Sequence, residues 1–241
     1  MRLKLSTLCI AATLALCASL TTGAQAATVA SIAPSFAPNH AGVGTALTLG
    51  ITFSNQQGAV PEPLTHMVVH LPAGLSINLR GIGTCSRAHL EKQLGHGCPA
   101  SARVGSGSAQ VGAHLGAINL NEHASLTAWR GPNQGGRSTL QILGIGLSPL
   151  EEHVVLSGVL EPDSAPYGQK LVMTVPPIPT LTGEANASVL HTSVTIGAAR
   201  GRLGGLLRVP RTCPAHGFAF GGDFGYADAS SSSTTATIPC P

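Results

Sequence analysis

Glycine and proline punctuate this chain so often that almost no window is long enough for a helix. There are 30 glycines and 17 prolines in 241 residues, and the segments between them alternate apolar and polar residues with period two. That alternation marks strands buried on one face. In Thr45–Phe53, the residues Leu47, Leu49, Ile51 and Phe53 share a face. In Thr65–Leu71, Met67, Val69 and Leu71 do so, and in Ser188–Ile196 the set is Leu190, Thr192, Val194 and Ile196. Ala102–Val111, Ala124–Arg130, Ser138–Leu147, His153–Glu161 and Lys170–Val175 are further candidates. About eleven short strands with turn signals between them predict an all-β fold, an antiparallel β-sandwich.

The C-terminal part has the strongest pattern. Phe218, Phe220, Phe224 and Tyr226 fall on one parity of a single strand, and Ser230–Ser233 leads to a return strand over Thr234–Ile238. The stripe is read first as the core face of a terminal hairpin. Exposed, it would be a ladder for carbohydrate or a partner protein, with Trp129 and Tyr167 as further aromatic candidates. One helix is expected. Ser86 is placed to cap Arg87–Leu94, Leu90 and Leu94 stand four apart on one face, and Gly95 ends it.

The first 26 residues read as a signal peptide. Arg2 and Lys4 precede an apolar run from Leu8 to Leu20, and Ala24-Gln25-Ala26 supplies small residues for cleavage after Ala26. The run falls short of the ~20 residues a spanning helix needs, and no later stretch reaches that length. Leu16 before Cys17 disfavours lipidation. A single β-sandwich domain is expected over 27–241, with Pro176–Pro179 as a candidate break between two lobes.

Cys9 and Cys17 leave with the leader, so Cys85, Cys98, Cys213 and Cys240 remain. An even number in an exported chain favours disulfides over metal, and close CxxC pairs suited to zinc are absent. Of the three pairings, Cys85–Cys98 with Cys213–Cys240 is preferred, because each pair brackets one compact unit. The first would pin the helix and the second would shut the terminal hairpin.

Charge excludes more than it suggests. Without Arg2 and Lys4, 11 of the 13 basic residues remain against 10 acids. With no basic block, nucleic acid is not an expected partner. Charged residues make up 10% of the chain, against ~25% in ordinary globular domains. The ten histidines form no HxH or HExxH motif. His66 and His70 lie on one face of a strand opposite its apolar side, and read as surface histidines. Gly105-Ser106-Gly107-Ser108 is not a nucleophile elbow. Asp163, Asp223 and Asp228 are the only aspartates, which leaves few third members for a Ser-His-Asp triad. Glu151 and Glu152 are adjacent and would point to opposite faces, unlike a glycosidase pair. No enzyme activity and no cofactor are expected.

His70-Leu71-Pro72-Ala73-Gly74-Leu75, then Cys85-Ser86, then Cys98-Pro99-Ala100-Ser101-Ala102-Arg103-Val104-Gly105 resembles an LPxGL…CS…CPxxSxxG pattern. That pattern occurs in poorly characterised exported and envelope proteins of high-GC Gram-positive bacteria with Ig-like modules. Arg211-Thr212-Cys213-Pro214 and Ile238-Pro239-Cys240-Pro241 resemble their closing unit. The resemblance implies export, Ig-like sandwich modules and paired cysteines, and brings no catalytic residues. Three classes of function follow. The first is a non-enzymatic structural or adhesive module at the cell envelope, touching envelope glycan or another surface protein. The others are a carbohydrate- or small-ligand-binding module and a secreted hydrolase.

Overall fold

The computed structural model describes residues 27–115, 118–147 and 151–241; the leader read over 1–26 lies outside the described residues. Over the described residues the fold is all-β and antiparallel, with one short α-helix, α1 (Arg87–Gln93). The strands are β1 (Thr28–Ala37), β2 (Gly44–Asn55), β3 (Leu64–Pro72), β4 (Ser76–Ile77), β5 (Arg103–Leu115), β6 (Ile118–Gln134) and β7 (Arg137–Gly146). They continue with β8 (His153–Pro162), β9 (Tyr167–Thr174), β10 (Ser188–Gly197), β11 (Leu207–Arg208), β12 (Phe218–Tyr226) and β13 (Ser231–Ile238). Among the described residues no helix is long and apolar enough to cross a membrane.

All thirteen strands belong to one sheet. Its main path runs β13-β12-β3-β9-β8-β7-β6-β5-β10-β2, with β1 paired to β2 and the two-residue β11 and β4 continuing from the end of β2. The segment 176–179 lies between β9 and β10, and β10 is inserted between β2 and β5. The sheet then rolls until β1 lies against β13. Ring contacts mark this approach. Phe36 of β1 meets Phe218 and Phe220 of β12 at 5.9 and 5.8 Å, and Phe53 of β2 meets Phe224 at 5.0 Å. The result is a flattened roll whose facing walls pack like the two layers of a sandwich.

Period-two alternation decides which face turns inward, because one register places every apolar set on the same side. Ile32 opposes Ile51, Phe36 opposes Leu47, and Phe224 opposes Met67, all of them buried. Phe218, Phe220, Phe224 and Tyr226 are 0–4% exposed, so the aromatic stripe is core. It fills the seam where β1 and β2 face β12 and β13. The Tyr226 hydroxyl keeps a partner there, Ser232 Oγ at 2.6 Å, which removes the cost of burying it unpaired.

The expected strands are present, but β1 was not legible. Its inward residues Ala30, Ile32, Pro34 and Phe36 alternate with small residues, and the proline disguises an edge-type strand. The helix also departs from expectation at its end. Ser86 caps it by accepting from His89 N at 3.3 Å. Leu94, expected inside the helix beside Leu90, is instead the left-handed C-cap with φ 50° and is exposed. Leu90 alone is buried, at 0% exposure, against Trp129, Leu143 and Val155 on the outer face of β6, β7 and β8.

Disulfides join Cys85 to Cys98 and Cys213 to Cys240, with Cα atoms 5.5 and 5.9 Å apart. The first spans the chain entering and leaving α1; the second shuts the β12–β13 hairpin at its open end. Both lie at the same end of the roll, together with the connections 73–102 and 198–217. The other end is made of the shorter turns at 56–63 and 227–230, the 175–187 connection, and the end of β5, the start of β6, the end of β7 and the start of β8.

Candidate functional site

Eight strands close a barrel just wide enough for side chains to fill it or to hold one small ligand. Without the two-residue β4 and β11, this roll has eleven strands, and its walls leave part of the interior unfilled. The aromatic stripe fills the seam side. Beyond it lies a cavity of about 240 Å³ bounded by β2, β3 and β5 through β10. Its wall is aliphatic, with Leu49, Ile51, Met67, Leu126, Leu156 and Val194 representative and Phe53 the one aromatic. Small residues face inward where large ones would close the space: Ala109, Ala124, Gly144 and Gly146.

Among the described residues three charged ones line the cavity, and β6 carries two of them. Glu122 and Arg130 point inward on the same parity, eight residues apart, about 26 Å along a strand. Glu122, 4% exposed, lies toward the unstapled end with Glu152. Gly146 makes room for it, since a Cβ there would stand 2.3 Å from Glu122 Oε1. Arg130 lies at the stapled end. Its guanidinium donates to the carbonyls of Ile82 at 2.6 Å and Leu79 at 3.2 Å, and to Asn133 Oδ1 at 3.4 Å. These bonds tie the 73–84 segment over the end of the lumen, where Leu75, Leu206 and Leu207 are buried. The Nε–H of Arg130 is buried without an acceptor.

A second polar cluster sits on the outer face of the wall and corrects the reading of the histidines. Met67, Val69 and Leu71 are buried as expected, but His70 is not a free surface side chain. Its Nδ1 donates to Asp163 Oδ2 at 2.6 Å and its Nε2 to Asp223 Oδ2 at 2.9 Å. Tyr167 stacks on the imidazole with ring centroids 4.8 Å apart. Gly221 permits this, because a Cβ there would lie 2.8 Å from the Tyr167 hydroxyl and 3.1 Å from His70 Cδ2. Burial pushes the His70 pKa down, but the bonds to the two carboxylates outweigh it and hold it above the ordinary value. Burial pushes Asp163 up, and the bond from His70, the backbone N–H of Ser164 and the charges of His70 and Lys170 together more than reverse this. Asp223 is held low by His70 and by the Ser233 hydroxyl, which donates at 2.7 Å.

When protonated, His70 donates from both imidazole nitrogens to acids and forms a clasp with no nitrogen left to deprotonate a nucleophile. Ser233 bonds Asp223, not the histidine. The partners lie 93 and 153 residues from His70 in sequence, and only the pairing of β3 with β9 and β12 joins them.

Several other residues singled out by sequence have places in the framework. Trp129 is buried beneath α1, and Cys85, Cys98, Cys213 and Cys240 are all paired. His89 stands close to Cys85 and Cys98 and caps its own loop through Nε2 to the His96 carbonyl at 2.6 Å. Gly105-Ser106-Gly107-Ser108 lies in β5, where a Cβ at Gly107 would come 2.0 Å from the Ser193 carbonyl oxygen. Glycine there is a steric necessity of the β5–β10 pairing. The lumen was missed because each of its walls reads, strand by strand, as an ordinary core face. Compared with known proteins, the chain matches no family model, no curated protein and no solved structure.

Proposed function

We propose that this is an exported, non-enzymatic binding protein that carries a small apolar molecule in the lumen of its rolled sheet. The observation that carries the proposal is the aliphatic cavity of about 240 Å³. Engineered apolar cavities of ~150 Å³ stay dry and take up benzene. Among the described residues no histidine lines this one, and its hydroxyl groups are on Ser138, Thr139 and Thr192. Among the three classes left by the sequence, the cavity favours the ligand-binding module over the structural or adhesive one. The two disulfides support export to an oxidising compartment.

The mouth we assign to the unstapled end. Among the described residues the three most exposed large aliphatic side chains, Ile118 at 66%, Leu147 at 59% and Leu181 at 56%, all lie at that end. The other end is sealed by buried Leu75, Leu206 and Leu207 and held by both disulfides.

Fluorescence of N-phenyl-1-naphthylamine, a neutral apolar probe, tests the lumen. Wild-type protein is expected to bind it saturably with a blue-shifted rise in emission. Ala124→Trp, which places an indole in the cavity, is expected to abolish binding without lowering the Tm, because cavity filling offsets strain. No saturable binding by wild type, or unchanged binding by a folded Ala124→Trp protein, would overturn the proposal.

A further inference from the structure

We infer that the Cys85–Cys98 staple is exchangeable with a metal: once it is reduced, the two thiolates and the imidazole of His89 bind a zinc ion on the outer wall beside α1. The cluster lies apart from the lumen and does not depend on what the lumen holds. The sulfur atoms of Cys85 and Cys98 and a ring nitrogen of His89 lie within 4.8 Å of one another. Two soft sulfurs and an imidazole form a donor set for zinc, with the fourth position of a tetrahedral ion left to water. Sequence spacing hides the set, because Cys85 and Cys98 stand 13 residues apart with no CxxC pair between them. Folding assembles it: α1 begins beside Cys85 and carries His89, and the chain leaving the helix returns Cys98 to the same place.

The framework places these groups without help from the S–S bond. The Cys85 N–H donates to the Arg130 carbonyl at 2.9 Å and the Cys98 N–H to the Gly95 carbonyl at 3.2 Å. Between them Leu90, fully buried, keeps α1 packed against Trp129, Leu143 and Val155. His89 Nε2 donates to the His96 carbonyl oxygen at 2.6 Å. A carbonyl can only accept, so the neutral ring has its proton on Nε2 and its lone pair on Nδ1. An imidazole anchored through one nitrogen to a carbonyl and basic at the other is the form that ligates metal. Cys85 is buried while His89 and Cys98 are half-buried, which gives an ion a way in. Zinc bonds of ~2.0–2.3 Å set tetrahedral ligand atoms roughly 3.3–3.8 Å apart, a spacing that side-chain rotation can reach here. A two-electron reductant such as a dithiol breaks the S–S bond, leaving two thiols and becoming a disulfide itself. Zinc then displaces the two thiol protons to solvent, and α1 stays pinned in both redox states.

Zinc titration of the chain without its 1–26 leader, which holds Cys9 and Cys17, tests the site against a chromophoric chelator. Under a phosphine reductant, wild-type protein is expected to take up about one zinc ion per chain, and the oxidised protein none. Zinc should raise the Tm of the reduced protein, since it binds only the folded arrangement. Cobalt(II) in its place should give thiolate-to-metal charge transfer and the intense visible bands of a tetrahedral ion. His89→Ala should weaken zinc at least tenfold, the loss that removing even an outer-shell partner causes, and should alter the cobalt bands. The Cys85→Ser, Cys98→Ser protein, which keeps Cys213 and Cys240, should lose binding altogether. Reduced wild type that takes up no zinc overturns the inference, whether the reduced chain stays folded or not. Unchanged affinity in His89→Ala, or binding that survives loss of Cys85 and Cys98, overturns it as well by placing the metal elsewhere. Wild type and His89→Ala decide the matter, so a double-serine protein that fails to fold does not protect it.

Discussion

His70 shows what a single side chain contributes to this fold. It joins β3 to the β8–β9 turn through Asp163 and to β12 through Asp223. Its pKa is raised, so its contribution is complete below the ordinary histidine value of about 6.5 and is lost as pH rises through the folded value. The two aspartates are lowered, so theirs is present above about 3.9 and is lost as pH falls through their folded values. The clasp is therefore fully made between about pH 4 and 6.5 and weakens on either side. Chemical denaturation across pH is expected to give a stability maximum in that window, with the alkaline decline absent in His70→Gln. Replacing His70 should cost roughly 1–2 kcal/mol, since Asp223 is half exposed and solvent screens its share. An unchanged alkaline limb in His70→Gln would assign the decline to other groups. Nothing at His70 in the sequence announces this role. Alternation places it on the outer face, but its neighbours there depend on strand order and register, which alternation does not encode.

At the scale of elements, the terminal hairpin was legible and the helix nearly so, for opposite reasons. The hairpin's stripe repeats with period two over a full strand, and no other register buries four aromatics together. Phe220, 0% exposed and in contact with Phe36, is expected to cost about 3–5 kcal/mol when replaced by Ala, measured by urea denaturation. Leu94 reads as helical by spacing, yet Gly95 and Gly97, with φ of 86° and 79°, turn the chain so soon that the helix stops at Gln93. The two staples should differ in their effects. Their sequence separations, 13 and 27 residues, predict losses of about 3 and 3.5 kcal/mol from loop entropy. The Cys85→Ser, Cys98→Ser pair loosens α1 on the outer wall. The Cys213→Ser, Cys240→Ser pair frees the hairpin that carries the stripe and should lower Tm more, since core packing depends on it. An equal or reversed order in thermal melts would show that α1 supports more of the fold than one buried leucine suggests.

For the whole molecule, the decisive quantity is the number of strands that reach around the lumen, and no single segment contains it. Each inward face reads as core, and in an eight-stranded closure side chains alone could fill the interior. Eleven strands with alanine and glycine at inward positions of β5, β6 and β7 turn the same pattern into a wall around a space. A wall with one sealed end and one end of exposed aliphatic turns imposes a direction of traffic on any ligand. If entry is at the unstapled end, charging its rim should obstruct passage without touching the binding surface. Stopped-flow mixing with N-phenyl-1-naphthylamine is expected to show Leu147→Glu with Leu181→Glu slowing uptake and release together, with Kd nearly unchanged. The neutral probe has no charge for Glu to repel, so the slowing would reflect the cost of desolvating new carboxylates as the rim opens. Reducing Cys85–Cys98 tests the opposite end, where the 73–102 connection lies over the lumen. Faster uptake on reduction, with the rim variants unaffected, would place the mouth at the stapled end.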